Sequence, residues 1–154
     1  MRNMRLIVLA VGLGSVALVP PAAAQRGTPA EAKAMLEKAI AHYKEVGRAQ
    51  ALADFTAKKA PFADRDLYVC CIDKSGKTSA HGALASYVGT SADSLKDADG
   101  KPLGKALIAA AAAKDGGAVR YRMMNPVSGK VENKVSQVRQ VGTDVCGVGA
   151  YEGS

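Results

Sequence analysis

The sequence predicts an α+β domain in which a long N-terminal helix packs on a five-stranded, mostly antiparallel sheet. Three observations lead to this fold class. Apolar residues recur at helical spacing over about residues 28–59. The strand-like run at 67–72 is apolar throughout, and a strand without a polar face has to be covered on both sides. Three more strand-like runs end the chain after a helix-bearing insertion, with no internal repeat.

Residues 1–24 have the layout of a secretory signal peptide. Two arginines stand near the start, residues 6–19 are small and aliphatic, and a run of alanines offers small residues for cleavage. The apolar run is shorter than the ~20 residues that a membrane-spanning helix needs. We therefore predict export, removal of residues 1–24, and a single domain at residues 25–154 that has no membrane span.

The formal net charge is +7, from 21 Lys and Arg against 14 Asp and Glu. This excess is spread along the chain, and no block of basic residues is interleaved with aromatic ones. Nucleic acid is therefore not an expected partner. The charge does favour attraction of small anionic molecules.

The first predicted helix begins at Thr28, which can cap it. Pro29 suits the first helical position, and Glu31 completes a capping box. Gly47 ends or bends this helix, and a second helical run continues over about residues 48–59 until a proline stops it. This long element is the predicted cover for one face of the sheet.

Residues 67–72 form the predicted central strand. A turn at 73–76 leads into a second short strand at 77–81, so the two make a hairpin. Alternation divides the side chains of the central strand between the two faces of the sheet. The two sets are Leu67, Val69 and Cys71 on one face and Tyr68, Cys70 and Ile72 on the other.

Residues 83–101 form a small and polar insertion with several turn signals. The Asp-Ala-Asp-Gly run at 97–100 lacks the other ligands of an EF-hand loop, so a glycine turn is predicted there and no calcium is expected. A short alanine-rich helix at 103–114 is ended by glycines. The last three predicted strands are 118–124, 131–141 and 145–151.

The residues give little support for catalysis. Ser79 and His81 share a face of their predicted strand, but no placed acid follows and there is no nucleophile elbow. Neither a Cys-x-x-Cys run nor paired histidines indicate a metal site. We therefore expect a protein that is not an enzyme and that carries no cofactor and no metal.

Four stretches stand in order along the chain: DLYVCCIDKSGKTSAHG from Asp66, YVGTSADSLKDADGKPL from Tyr87, YRMMNPVSGKVENKVSQV from Tyr121 and VGTDVCGVGAY from Val141. Together they resemble the single Cache domain, type 2. The resemblance covers about residues 30–151 and implies a PAS-like Cache fold with a long helix behind a central antiparallel sheet. It also implies an extracytoplasmic sensor that binds a small metabolite on the other sheet face, under the inserted segment.

Most members of this family are attached to chemoreceptors and histidine kinases, so the resemblance implies a membrane receptor or a histidine kinase as partner. The chain ends at Ser154 without a transmembrane portion. It therefore resembles the stand-alone secreted members, and we expect a periplasmic or secreted location.

Two positions depart from the pattern of the family. Relatives tend to have Trp two residues after the tyrosine that matches Tyr121, where this chain has Met123, and they often have Tyr where it has Gln137. Fewer aromatic walls leave less surface for stacking and cation–π contacts. A pocket of this kind is expected to hold a different ligand from that of its relatives, or none.

The candidate ligand contacts are five residues with polar side-chain ends that lie within strands or at their ends. The sixth candidate is the methionine that stands where relatives have Trp. The resemblance implies a small carboxylate with Lys134 as the cation and Tyr121 and His81 as donors. If His81 has to be protonated, affinity should fall as the pH rises through the pKa of its imidazole, which is near 6.5 if unperturbed. The alternative is structural, since a strand Tyr is usually core and a strand Lys is usually solvated. The six candidates are Tyr68, His81, Tyr121, Met123, Lys134 and Tyr151.

The resemblance also implies a disulfide bond. In the family fold the first and last strands lie side by side, which would bring Cys146 near Cys70 or Cys71. Exported proteins meet an oxidising compartment, where thiols pair. Since consecutive strand residues face opposite ways, only one of the two can pair well with Cys146. We expect one disulfide and one remaining thiol.

These expectations combine into a periplasmic sensor or sensor-accessory domain for a small organic acid or a similar metabolite. The alternative is a protein-interaction module that binds no ligand because its own side chains fill the pocket. A third hypothesis is a thiol-active protein that uses the remaining cysteine.

Overall fold

The computed structural model describes residues 26–153. The predicted signal peptide and its cleavage site therefore lie outside the described residues. Of the helices between residues 26 and 153, none is long and apolar enough to cross a membrane.

Two consecutive helices open the described chain, α1 at Pro29–Val46 and α2 at Arg48–Thr56. The Oγ1 atom of Thr28 accepts a hydrogen bond from the Glu31 N–H at 3.2 Å, and the Glu31 carboxylate accepts one from the Thr28 N–H at 2.7 Å. The predicted capping box is thus formed. Gly47 separates the helices with a φ of 82°, a conformation that favours glycine, so the chain bends there.

The described residues contain six strands: β1 Ala63–Asp64, β2 Leu67–Asp73, β3 Thr78–His81, β4 Gly117–Met124, β5 Val131–Val141 and β6 Asp144–Gly153. They form one antiparallel sheet in the order β1-β2-β6-β5-β4, and β3 pairs with β2 on the same edge as β1. The predicted α+β fold class is confirmed, with one strand more than the five predicted. The additional strand is β1, whose two residues are too few to show an alternating pattern.

The insertion between β3 and β4 holds two short 3₁₀ turns, Ala85–Tyr87 and Ala92–Ser94, and the helix α3 at Leu103–Ala111. This helix ends three residues earlier than the predicted span of 103–114. The insertion folds back onto the sheet, since the Ala98 N–H donates to the Arg122 carbonyl of β4 at 2.8 Å. Leu95, Leu103 and Leu107 of the insertion pack against the sheet face that α1 and α2 leave open.

The glycine turn predicted at residues 97–100 is present. The Gly100 N–H donates to the Asp97 carbonyl at 3.0 Å, and the Asp97 carboxylate accepts from the N–H groups of Asp99 and Lys101 at 2.9 and 2.8 Å. This carboxylate therefore stabilises the turn. Within the part of the chain that the structure describes, no three His, Cys, Asp or Glu side chains are grouped to hold a metal ion.

The central strand β2 is covered on both faces, as its sequence requires. One face packs against α1 and α2 in the main hydrophobic core, where Leu36 and Phe55 are fully buried. The other face meets α3 and the insertion, which form a smaller cluster and a cavity. The division matches the predicted alternation. Leu67, Val69 and Cys71 belong to the core on the helix face, and Tyr68, Cys70 and Ile72 lie on the cavity face, although Cys71 also borders the cavity.

One fully buried carboxylate, that of Asp144, joins four elements. It accepts hydrogen bonds from the Tyr43 hydroxyl of α1 at 2.7 Å and the Ser79 hydroxyl of β3 at 2.6 Å. The Arg48 guanidinium of α2 donates two more, at 2.7 and 3.0 Å. Burial raises the pKa of the Asp144 carboxyl, but these donors outweigh burial and hold it below its usual range. The carboxylate thus fixes the helices to the sheet.

Candidate functional site

A cavity of about 50 Å³ lies between the sheet and the insertion. Side chains of β2, β4 and β5 form its floor, and Tyr87, Leu95, Leu103 and Leu107 form its roof. One water needs about 10–15 Å³ of such space, so the cavity has room for roughly three or four non-hydrogen atoms. It lies on the sheet face opposite α1, where the sequence resemblance placed the ligand.

Five of the six predicted ligand contacts line this cavity. The exception is Tyr151, which is 2% exposed and lies beneath Lys134, with its ring centroid 4.3 Å from the Lys134 Nζ atom. Its hydroxyl donates to the Met124 carbonyl at 2.8 Å. Tyr151 therefore supports the cation instead of forming the wall. The five that line the cavity are Tyr68, His81, Tyr121, Met123 and Lys134.

The Lys134 side chain is buried at the cavity, with 2% of its surface exposed. Its Nζ atom donates to the Tyr68 hydroxyl at 2.8 Å, and burial lowers the pKa of this ammonium to about 8. Among residues 26–153, no carboxylate lies within 4.0 Å of it. Since an ammonium has three N–H donors, Lys134 keeps donors for an anion in the cavity.

Gly149 provides the space that Lys134 occupies. It pairs with Ser136 in the β5–β6 register. A Cβ atom at this position would lie 2.3 Å from the Lys134 Cε atom and 2.4 Å from the Ser136 Oγ atom. Both distances are far below van der Waals contact, so a residue without a side chain allows the lysine to lie across the face of β6.

His81 stands in the cavity wall between two tyrosines, with ring centroids 4.9 Å from Tyr87 and 5.2 Å from Tyr68. Its Nδ1 atom accepts the Leu84 N–H at 3.0 Å, so the neutral ring carries its proton on Nε2. Burial and the positive charge of Lys134 lower the pKa of His81 to about 4. His81 is therefore a neutral donor at neutral pH, which corrects the expectation of a titration near pH 6.5.

Hydroxyl groups complete the polar part of the cavity. The hydroxyls of Tyr121 and Ser136 share a hydrogen bond of 2.7 Å. Burial raises the pKa of Tyr121 and of Tyr68, so both phenols stay protonated at neutral pH. Each can therefore take part in hydrogen bonds with an anion that Lys134 holds.

The structure joins Cys71 to Cys146, which are direct partners in the β2–β6 register with Cα atoms 4.1 Å apart. Of the two pairings that the sequence left open, this one lies on the helix face of the sheet. Cys70 is free and lines the cavity, where burial raises the pKa of its thiol. A reactive cysteine needs the opposite shift, so the site gives no support to the thiol-active hypothesis.

Several lining residues were not predicted as ligand contacts. Ser136 could have been found, because it lies two residues from Lys134 on the same strand face. The position of Gly149 at the cavity is set by the register of β5 with β6, and the residues of the roof are set by the path of the insertion. The sequence shows neither the register nor the path. The unpredicted lining residues are Cys70, Cys71, Ile72, Thr78, Tyr87, Leu95, Leu103, Leu107, Ser136 and Gly149.

Similar solved structures come from chemotaxis proteins and a chemosensory domain. A methyl-accepting chemotaxis protein from Vibrio parahaemolyticus RIMD 2210633 superposes with a TM-score of 0.67 at 21% identity, over 79% of this chain and 86% of that chain. A periplasmic sensor domain of a chemotaxis protein gives 0.60 at 22% identity, over 80% and 89%. A Cache chemosensory domain that recognises carboxylic acids gives 0.59 at 21% identity, over 80% and 87%.

No curated protein matches the sequence significantly. The family model for the single Cache domain 2 matches residues 22–151, which is most of the chain. The sheet order and the position of the inserted segment agree with the fold that the sequence resemblance implied. The chain therefore belongs to the single Cache domain 2 family.

Proposed function

We propose that the protein is a periplasmic or secreted sensor domain that binds a small organic acid through Lys134. The liganded state would be presented to a membrane receptor or a histidine kinase, and residues 1–24 would be removed on export. The observation that carries this proposal is a buried ammonium that faces a cavity and has no carboxylate partner among the described residues. Membership of a Cache family supports the sensory part of the proposal.

A carboxylate suits this cavity for electrostatic reasons. Lys134 has lost most of its hydration, so an incoming anion would supply the charge partner that the ammonium lacks. A charge-assisted hydrogen bond of this kind contributes about 1.5–3 kcal/mol. Tyr121 and His81 are the neutral donors that would orient the second carboxylate oxygen. The likeness to a Cache domain that recognises carboxylic acids supports the same ligand class.

The site favours binding over catalysis. The Ser79 hydroxyl donates to Asp144, whereas His81 bonds to the backbone of Leu84, so the two residues that share a strand face do not interact as nucleophile and base. The low pKa of His81 and the raised pKa of the Cys70 thiol make both groups weakly reactive at neutral pH. We therefore propose that the protein is not an enzyme.

A second candidate function is an interaction module that binds no ligand. The small volume of the cavity, about 50 Å³, favours it, because the side chains around Lys134 already fill most of the space. A thermal-shift screen with acetate, propionate and other small acids separates the two candidates. Binding raises the melting temperature with ligand concentration, whereas a self-filled pocket gives no shift.

Replacing Lys134 by methionine is expected to weaken the binding of acetate or propionate by at least tenfold, since about 1.4 kcal/mol corresponds to a decade in affinity. The substitution removes the ammonium and keeps an unbranched side chain that is one non-hydrogen atom shorter. Stability should be unchanged or slightly higher, because the cost of burying an ammonium disappears. Calorimetry gives the affinity, and urea denaturation gives the stability.

Lys130→Met is the matched control, because Lys130 is exposed in the β4–β5 turn and the same charge is removed there. The control should bind as the wild type does. Equal affinities in the wild type and in Lys134→Met would remove Lys134 from the site and contradict the proposed function.

The affinity for acetate is expected to be nearly constant from pH 6 to about 7, to be halved near pH 8 and to fall further above that. The bound anion needs protonated Lys134, whose pKa in the free protein is about 8, and acetate stays ionised throughout. Above this pKa the affinity should decrease by up to tenfold per pH unit. Calorimetry at several pH values measures the profile. A midpoint near pH 6.5 would instead assign the titration to a histidine.

A further inference from the structure

An open apolar groove of about 300 Å³ adjoins the cavity on the side of the insertion. Leu84 and Met124 line the groove but not the cavity, and they are 49% and 54% exposed. The groove therefore extends the cavity outwards over an apolar surface. The side chains that line both spaces are Tyr68, His81, Tyr87, Leu95 and Met123.

The side chains that line both the cavity and the groove form a shared wall, and they differ in how strongly hydrogen bonds restrain them. Tyr68 is hydrogen-bonded to Lys134, and His81 is hydrogen-bonded to the backbone of Leu84. Met123 is apolar, makes no side-chain hydrogen bond and has three rotatable side-chain bonds, so it can fill or vacate space at low cost. A change of its rotamer is the simplest way to join the cavity to the groove.

The joined space is polar at one end. The Lys134 ammonium and the hydroxyls of Tyr121 and Ser136 lie at the inner end. The outer end presents Leu84 and Met124, and within residues 26–153 no charged side chain lines the groove beyond the shared wall. A molecule that matches both ends has one anionic head and an aliphatic tail.

We propose that the cavity and the groove together bind an aliphatic monocarboxylate, with the carboxylate on Lys134 and the tail along the groove towards Leu84 and Met124. This inference rests on the proposed function, because it uses the same cation. The inference narrows the ligand class from small organic acids to monocarboxylates whose aliphatic tail is too long to fit within the cavity alone. A polar group at the far end of the tail would lose its hydration in the groove without finding a partner.

The test compares acetate, butyrate, hexanoate and octanoate by calorimetry. Once the tail reaches the groove, affinity should rise by about fourfold for each further methylene that is buried, until the groove is full. Adipate has the six-carbon chain of hexanoate, with a second carboxylate in place of the terminal methyl group. It should bind at least tenfold more weakly than hexanoate, since the second carboxylate would be desolvated in the groove.

Substitutions at two exposed positions test the groove without altering the cavity, because Leu84 and Met124 line only the groove. Leu84→Ser and Met124→Ser are each expected to lower the affinity for hexanoate by about fivefold and to leave the affinity for acetate unchanged. Val46→Ser is the matched control, because Val46 is 38% exposed on α1 and lines neither space. Since all three positions are exposed, the melting temperatures should agree closely.

The outcomes distinguish this inference from the function on which it rests. Equal affinities for acetate and hexanoate, or no effect of Leu84→Ser and Met124→Ser on hexanoate, would overturn the groove and leave the acetate site intact. Unchanged acetate binding in Lys134→Met would contradict the proposed function itself. Failure of every acid to bind would overturn both.

Discussion

Replacing both Cys71 and Cys146 by alanine is expected to lower the free energy of unfolding by about 4 kcal/mol. The bond closes a loop between residues that are 75 apart in sequence. In the chain-entropy description, a loop of this size restricts the unfolded chain by between about 3 kcal/mol, for 15 residues, and about 4.7 kcal/mol, for 100 residues. Urea denaturation of the oxidised wild type and of the double variant measures the difference.

Cys70→Ala is the matched control for this prediction. It removes a neighbouring sulfur atom on the other face of β2 and leaves the Cys71–Cys146 bond in place. Its effect should be near 1 kcal/mol, which is typical of a small substitution. If the double variant were no less stable than this control, the covalent bond would contribute nothing to the free energy of unfolding, and the prediction would be wrong. Mass spectrometry after alkylation should find one reactive thiol in the unfolded, unreduced wild type.

Asp144→Ala is expected to lower the free energy of unfolding by about 2–4 kcal/mol, because a buried donor that loses its acceptor costs about 1–3 kcal/mol. The Arg48 side chain is 45% exposed, so its freed charge is solvated and adds little to this loss. The substitution leaves the hydroxyls of Tyr43 and Ser79 without their acceptor, and it frees Arg48 from β6. Stabilities of small domains are about 5–15 kcal/mol, so this loss is a large share of the total. Urea denaturation at pH 7 measures it.

The loss from Asp144→Ala should depend on pH in a defined direction. The pKa of this carboxyl is lower in the folded protein than in the unfolded chain, so its contribution is complete above the unfolded value of about 3.9. It is lost as the pH falls through the folded value, and the difference between wild type and variant should shrink below pH 4. Asp93→Ala is the control, because its pair with Lys105 is exposed on both sides and should contribute under 1 kcal/mol.

The alternation of side chains along the central strand was predictable from the sequence. Leu67 and Tyr68 were assigned to opposite faces because the period of a strand is two, and the structure has them so. The start of α1 was predictable for a local reason as well, since a capping box involves residues only three positions apart. Signals that lie within one element can be read without knowing the fold.

Properties that depend on neighbours from other elements could not be read in this way. The choice of Cys71 over Cys70 depends on the register between β2 and β6. The neutral state of His81 depends on its burial and on the charge of Lys134, which comes from a distant strand. Tyr151 faces the cavity side of its strand, but Lys134 lies between it and the space. These facts are set by tertiary packing.

The close approach of Gly149 to Lys134 has a consequence for how the proposed binding site can change during evolution. Any substitution of Gly149 would place a Cβ atom where the aliphatic part of the lysine lies, and would displace the ammonium. The affinity for an anion can therefore be lost while every polar residue of the site is retained. A homologous sequence with the lysine and both tyrosines, but with a larger residue at this position, should not be assigned the same ligand.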